Sequence, residues 1–169
     1  MAKLNDYLMD KAPTNLCAPA ASIMRNADVK KLLDLYIKNI DYVLSEDYPT
    51  KDDLLEYGGT SLADHGIYID SQSKLSNQAT LVFLGKCHSV VDISKFTVSN
   101  IYVKNNSLLE LEVTDNAFVI VDCFDSSCIQ VVASGKSRVI INHYGNAELV
   151  YSKQDQATVK VNHKYKNTY

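Results

Sequence analysis

From Ser107 to Tyr169 the chain repeats every ten residues. The blocks read Ser107-Leu108-Leu109-Glu110-Leu111, Ala117-Phe118-Val119-Ile120-Val121, Ser127-Cys128-Ile129-Gln130-Val131, Ser137-Arg138-Val139-Ile140-Ile141, Ala147-Glu148-Leu149-Val150-Tyr151 and Ala157-Thr158-Val159-Lys160-Val161. A small residue opens each block, and apolar residues follow at the third and fifth places. Ten residues hold one strand of about six and a turn of about four. The stretches between blocks carry turn chemistry: Asp115-Asn116, Asp125-Ser126, Gly135-Lys136, Gly145-Asn146 and Asp155-Gln156.

A longer period lies over the first. Val121-Asp122-Cys123-Phe124 matches Ile141-Asn142-His143-Tyr144, and both match Val161-Asn162-His163. The unit is therefore twenty residues with two non-identical sides. A two-sided β-solenoid accounts for this, because each coil lays one strand in each of two parallel sheets and like residues stack. Asp122, Asn142 and Asn162 would form a polar ladder with steps of about 4.8 Å. Ala117, Ser127, Ser137, Ala147 and Ala157 would fit tight inward corners. An antiparallel β-meander or sandwich explains the ten-residue period but not the twenty, since next-but-one strands would not pair.

Upstream the pattern is different. Asp28 is placed to cap an amphipathic helix over about Val29–Ser45, with Val29, Leu32, Leu33, Tyr36, Ile37, Ile40, Val43 and Leu44 on one face. Pro49 ends it. Thr50 with Asp53 opens a second helix that stops at Gly58-Gly59, and a last turn over Ser61–His65 ends at Gly66. A short helix is also expected near Ala18–Arg25, after Pro13. Ile67–Asp70 reads as a strand, Ser71–Gln78 as a loop, and Thr80–Leu84, Ser89–Ile93 and Asn100–Lys104 as strands. The expected organisation is α+β: a helical unit over residues 1–66, capping the end of a β-solenoid over residues 67–169.

The apolar share of 46% suits a folded chain, and the net charge of −3 gives no footprint for nucleic acid. No apolar run reaches membrane-spanning length, so no membrane association is expected. The opening residues lack the apolar run of a signal peptide. Cys17, Cys87, Cys123 and Cys128 lack CxxC spacing and are expected as reduced thiols in a cytoplasmic setting.

Most chemical motifs fail on inspection. Gly135-Lys136-Ser137 resembles the end of a P-loop, but Gln130 stands where the first glycine belongs and a strand follows instead of a helix. Ser71-Gln72-Ser73-Lys74 fits SxxK without its supporting motifs. Cys123, His143 and His163 are candidate metal ligands by type, spaced by twenty. A linear column suits one tetrahedral ion badly, so no metal and no cofactor are expected. Asp122 and Asp125 with His143 are the loose candidates for an enzyme acting on carbohydrate or an acyl acceptor. No catalytic residue is assigned, and the chain is expected not to be an enzyme.

The segments Leu35–Pro49, Gly66–Asp70, Ile101–Lys104 and Asp115-Asn116-Ala117 resemble small β-repeat proteins of phages and prophages of gut anaerobic bacteria. That resemblance implies a phage or mobile-element origin and no particular activity. The expected role is structural or interactive: a stiff repeat body that binds a protein partner or associates with itself, in the cytoplasm of a bacterial host or on a virion. A regulator or inhibitor of a host protein is the neighbouring alternative.

Overall fold

The computed structural model describes residues 4–12 and 27–169, so Cys17 and the helix expected near Ala18–Arg25 lie outside the described residues. The chain forms two compact units, one ending at His65 and the other spanning Gly66–Thr168.

The first unit holds α1 (Leu4–Lys11), α2 (Val29–Lys38), α3 (Ile40–Glu46), α4 (Lys51–Gly58) and α5 (Ser61–Asp64). Asp28 caps α2 by accepting from the Lys31 N–H at 2.8 Å. Thr50 and Asp53 form a reciprocal capping box on α4. Leu8, Ala27, Leu32 and Tyr48 pack into one cluster, and the Tyr48 hydroxyl donates to the Leu8 carbonyl. His65 holds α5 to α2: its Nδ1 lies 2.7 Å from the Ser61 carbonyl and its Nε2 3.2 Å from Asp34.

The single helix expected over Val29–Ser45 is two helices. Asn39 breaks it with ψ at 38°, and its Nδ2 donates to the Leu35 carbonyl at 2.8 Å. A short amide side chain that competes for helix carbonyls favours such a break. The apolar spacing runs on across the break, so Leu32, Leu33, Tyr36, Val43 and Leu44 are all buried. Ile40, just after the break, is only half-buried.

The second unit is a two-sided parallel β-solenoid. One sheet has the order β1 (Ile67–Ile69), β3 (Thr80–Leu84), β5 (Val98–Val103), β7 (Phe118–Cys123), β9 (Arg138–His143), β11 (Thr158–His163). The other runs β2 (Gln72–Ser76), β4 (His88–Ile93), β6 (Leu108–Val113), β8 (Cys128–Ala133), β10 (Glu148–Lys153). Every pairing is parallel, which rules out the antiparallel meander or sandwich. From Thr80 onward each residue pairs with the one twenty places on, as in Val121↔Ile141 and Val131↔Tyr151.

The first coil is shorter. Ile67 pairs with Val82 and Gln72 with His88, offsets of fifteen and sixteen. Gln72–Ser76, expected as loop, is strand β2. Gln72, Lys74 and Ser76 lie on the outward parity of the strand and are exposed, and their polarity hides the strand.

Between the sheets lie inward columns of apolar residues. Leu81, Ile101, Val121 and Ile141 stack in one, and Val91, Leu111 and Val131 in its counterpart, all essentially buried. Burying each such side chain contributes on the order of 1.5–3 kcal/mol. The corner residues Ala117, Ser127, Ser137, Ala147 and Ala157 are buried, as their size requires.

Each corner also has a residue in the left-handed region at one fixed place: Gly85, Lys95, Asn105, Asp115, Asp125, Gly135, Gly145, Asp155 and Tyr165. Gly, Asn and Asp accept this conformation most easily. At φ +68° Gly135 is further constrained, because a Cβ would come 3.0 Å from the Asp115 backbone.

Candidate functional site

The side chains of these left-handed corners do more than turn the chain. The Asn105 side-chain oxygen accepts from the Gly85 N–H at 2.9 Å, and Asp115 accepts from the Lys95 N–H at 2.8 Å. Asp125 accepts from the Asn105 N–H at 3.0 Å, and Asp155 from the Gly135 N–H at 2.9 Å. Each reaches back twenty residues and satisfies a corner N–H of the coil before it. The sequence shows Asp, Asn or Gly at all of these places but Lys95 and Tyr165, and not that they form a ladder. Asp125, a loose catalytic candidate, is thereby a corner residue.

The polar ladder forms on the outward side of its sheet. Asn142 Nδ2 donates to Asp122 Oδ1 at 2.6 Å, and Asn162 Nδ2 donates to Asn142 Oδ1 at 3.0 Å. Asp122 is buried within it.

Cys123, His143 and His163 stack in register in the adjoining inward column. They do not converge on a point. The Cys123 thiol is pushed up to about 12 by burial, with the Asp122 carboxylate adding to the effect. At neutral pH the metal-free group is a protonated thiol, which makes it a poor nucleophile. It lies 3.5 Å from the Asn142 carbonyl, within its donor reach. His143 Nε2–H donates to the Ala147 carbonyl at 2.5 Å, which occupies that nitrogen. The His143 and His163 rings meet edge to face at 5.1 Å. Among the described residues no group of three His, Cys, Asp or Glu side chains is arranged to hold a metal ion. Cys87, Cys123 and Cys128 are free thiols.

The outer faces carry a different kind of feature. Phe96 is 82% exposed in the turn before β5, and Val98 at the start of β5 is 57% exposed. Val98 pairs with Phe118, and two places along the strands Ile120 pairs with Ile140. Together they form an apolar strip on the outward side of the larger sheet. Arg138 and Lys160 continue its two columns toward the last coil. Sequence reading missed the strip: the repeat pattern rests on the first, third and fifth places of each block, and Phe118, Ile120 and Ile140 occupy the second and fourth.

The opposite sheet has a shallow open depression lined by Gln72, Ser73, Lys74, His88 and Val90, with His88 Nε2 2.8 Å from Glu110. Among the described residues no helix is long and apolar enough to cross a membrane.

No protein-family model, no curated protein and no solved structure matches the chain.

Proposed function

We propose that this is a non-enzymatic binding module, encoded by a phage or other mobile element, whose stiff β-solenoid holds a protein partner by its outer surface. The observation that carries the reading is the outward apolar strip, in which exposed Phe96 and Val98 are continued by half-buried Phe118, Ile120 and Ile140. Contiguous exposed apolar surface on a soluble fold marks contact sites. A parallel stack also presents its side chains in straight rows at fixed spacing, which suits an extended contact better than an enclosed pocket. The near-balanced charge of residues 67–169, ten Lys/Arg against nine Asp/Glu, favours a protein over a nucleic acid. On this reading, with the phage resemblance, the partner belongs to a bacterial host cell or a virion.

A photo-crosslinking amino acid at position 96, expressed in infected or lysogenic cells, tests the reading. It should capture one defined protein, and Val98→Asp should abolish the capture while leaving the melting curve unchanged. Turnover of a sugar or nucleotide by the purified protein, lost in Asp122→Ala or His143→Ala, would overturn it.

A further inference from the structure

We propose that the C-terminal end of the solenoid binds an extended acidic segment of a protein partner, taken up as an added parallel strand on β10. The inference rests on the reading above, that the protein acts by contact with another protein.

β10 and β11 are the last strands of their sheets, each with a strand neighbour on one side only. Such an edge offers a row of backbone donors and acceptors to an incoming strand. Its inward columns are also unfinished. Ile129, Val131, Val139 and Ile141 are buried one coil earlier, whereas Tyr151, which follows Val131, is 46% exposed. Leu149, Val159 and Val161 are half-buried.

The next column along decides what can finish the stack. In the smaller sheet it runs Ile93, Val113, Ala133 and then Lys153. The first three are fully buried and Lys153 is exposed. In the larger sheet it runs Val103, Cys123, His143 and then His163, again exposed at the end. Another apolar coil would bury the Lys153 ammonium without a partner, which is strongly unfavourable. A strand with an acidic residue at that place would pair with it instead. The end is cationic more broadly, with Lys153, Lys160, Lys164 and Lys166 against Glu148 and Asp155. The complementary segment therefore reads apolar-any-apolar-any-acidic. Its two apolar residues cover Leu149 and Tyr151, and its carboxylate meets Lys153.

A second copy of this chain does not fit. Its first strands, Ile67–Ile69 and Gln72–Ser76, contain no Asp or Glu and bring Lys74 toward the lysines. Two C-terminal ends face to face would set lysines against lysines.

Two fluorescein-labelled peptides test the inference on the full chain by anisotropy: Thr-Val-Thr-Val-Thr-Glu-Thr, and the same peptide with Lys in place of Glu. The Glu peptide should bind about tenfold tighter, equivalent to about 1.4 kcal/mol, and added salt should narrow the gap. Lys153→Glu, at an exposed position, should reverse the preference with an unchanged melting curve. Equal binding of both peptides, binding of neither, or a preference indifferent to Lys153→Glu would overturn the inference. So would sedimentation showing end-to-end chains of copies that Lys153→Glu disperses. If the peptides fail while crosslinking from position 96 still captures its partner, only the end site falls. If the peptides bind and that capture fails, the outer-strip reading falls instead.

Discussion

The Lys95 backbone N–H donates to the Asp115 carboxylate at 2.8 Å, twenty residues along the chain and one coil away. Asp115 itself sits at φ +58°. One residue thus closes its own corner and anchors the previous one. Asp115→Asn keeps both roles and should cost under about 0.5 kcal/mol. Asp115→Gly keeps only the conformation and should cost about 1 kcal/mol. Asp115→Ala loses the bond and adds left-handed strain, for about 2 kcal/mol. Urea unfolding of the three variants checks the order, and equal losses for Ala and Asn would refute the double role.

Ser137 gives a prediction of opposite sign. Its hydroxyl is buried and makes no hydrogen bond. Ala117, Ala147 and Ala157 occupy equivalent corners, so the methyl side chain fits. Ser137→Ala should raise stability by about 1 kcal/mol, by removing a desolvated polar group. A lower melting temperature would show that the hydroxyl has a stabilising role after all.

Alkaline pH should weaken the solenoid through Cys123. Its thiol is pushed up to about 12 in the folded state, chiefly by burial. The unfolded thiol ionises near about 8.5. The stabilisation is fully present below that pH and is lost as pH rises toward the folded value. Cys128 is raised as well, by burial and by the Glu148 carboxylate, and Tyr48 is pushed up to about 12 by burial, so both act in the same sense. The comparison is therefore with Cys123→Val, which matches Val103 in the same column. Its stability should fall less steeply than the parent's between about pH 9 and about pH 11. Parallel slopes in denaturant titrations would contradict the assignment.

The coil length can be tested by deletion. Removing residues 117–136 joins Asn116 to Ser137 in the same register and should leave a folded protein one coil shorter. Removing only residues 117–126 swaps inward sides between the two sheets and should unfold the coils that follow. Thermal melts of both variants decide it, and similar behaviour would mean that the twenty-residue unit does not govern folding.

Much of this architecture was legible in particular residues. The match of Val121–Phe124 with Ile141–Tyr144 becomes the observed register, and Asp122, Asn142 and Asn162 do form their ladder. The repeat in fact begins near Thr80, earlier than Ser107. Its onset is masked because Ser89 and Ser99 fill inward places that later coils give to Leu109 and Val119. Lys95 in a left-handed corner was not legible, since nothing in a lysine favours that conformation. β2 was hidden by its polar outward residues, and the Asn39 break by apolar spacing that continues on both sides of it. The candidate column Cys123, His143, His163 was correctly placed as a stack. The apolar strip was missed although the small corner residues already set the inward parity, because apolar residues at the outward second and fourth places blur the alternation that marks a half-buried strand.

One outward column shows what such a scaffold permits. Asn100, Ile120, Ile140 and Lys160 follow one another in register, passing from amide to hydrocarbon to ammonium with no change in strand pairing. The inward columns and the left-handed corners set the coil, and the outward rows do not. In such a chain the surface can therefore be rewritten row by row while the architecture is inherited intact, so a lineage built on this coil can change what it recognises without evolving a new fold.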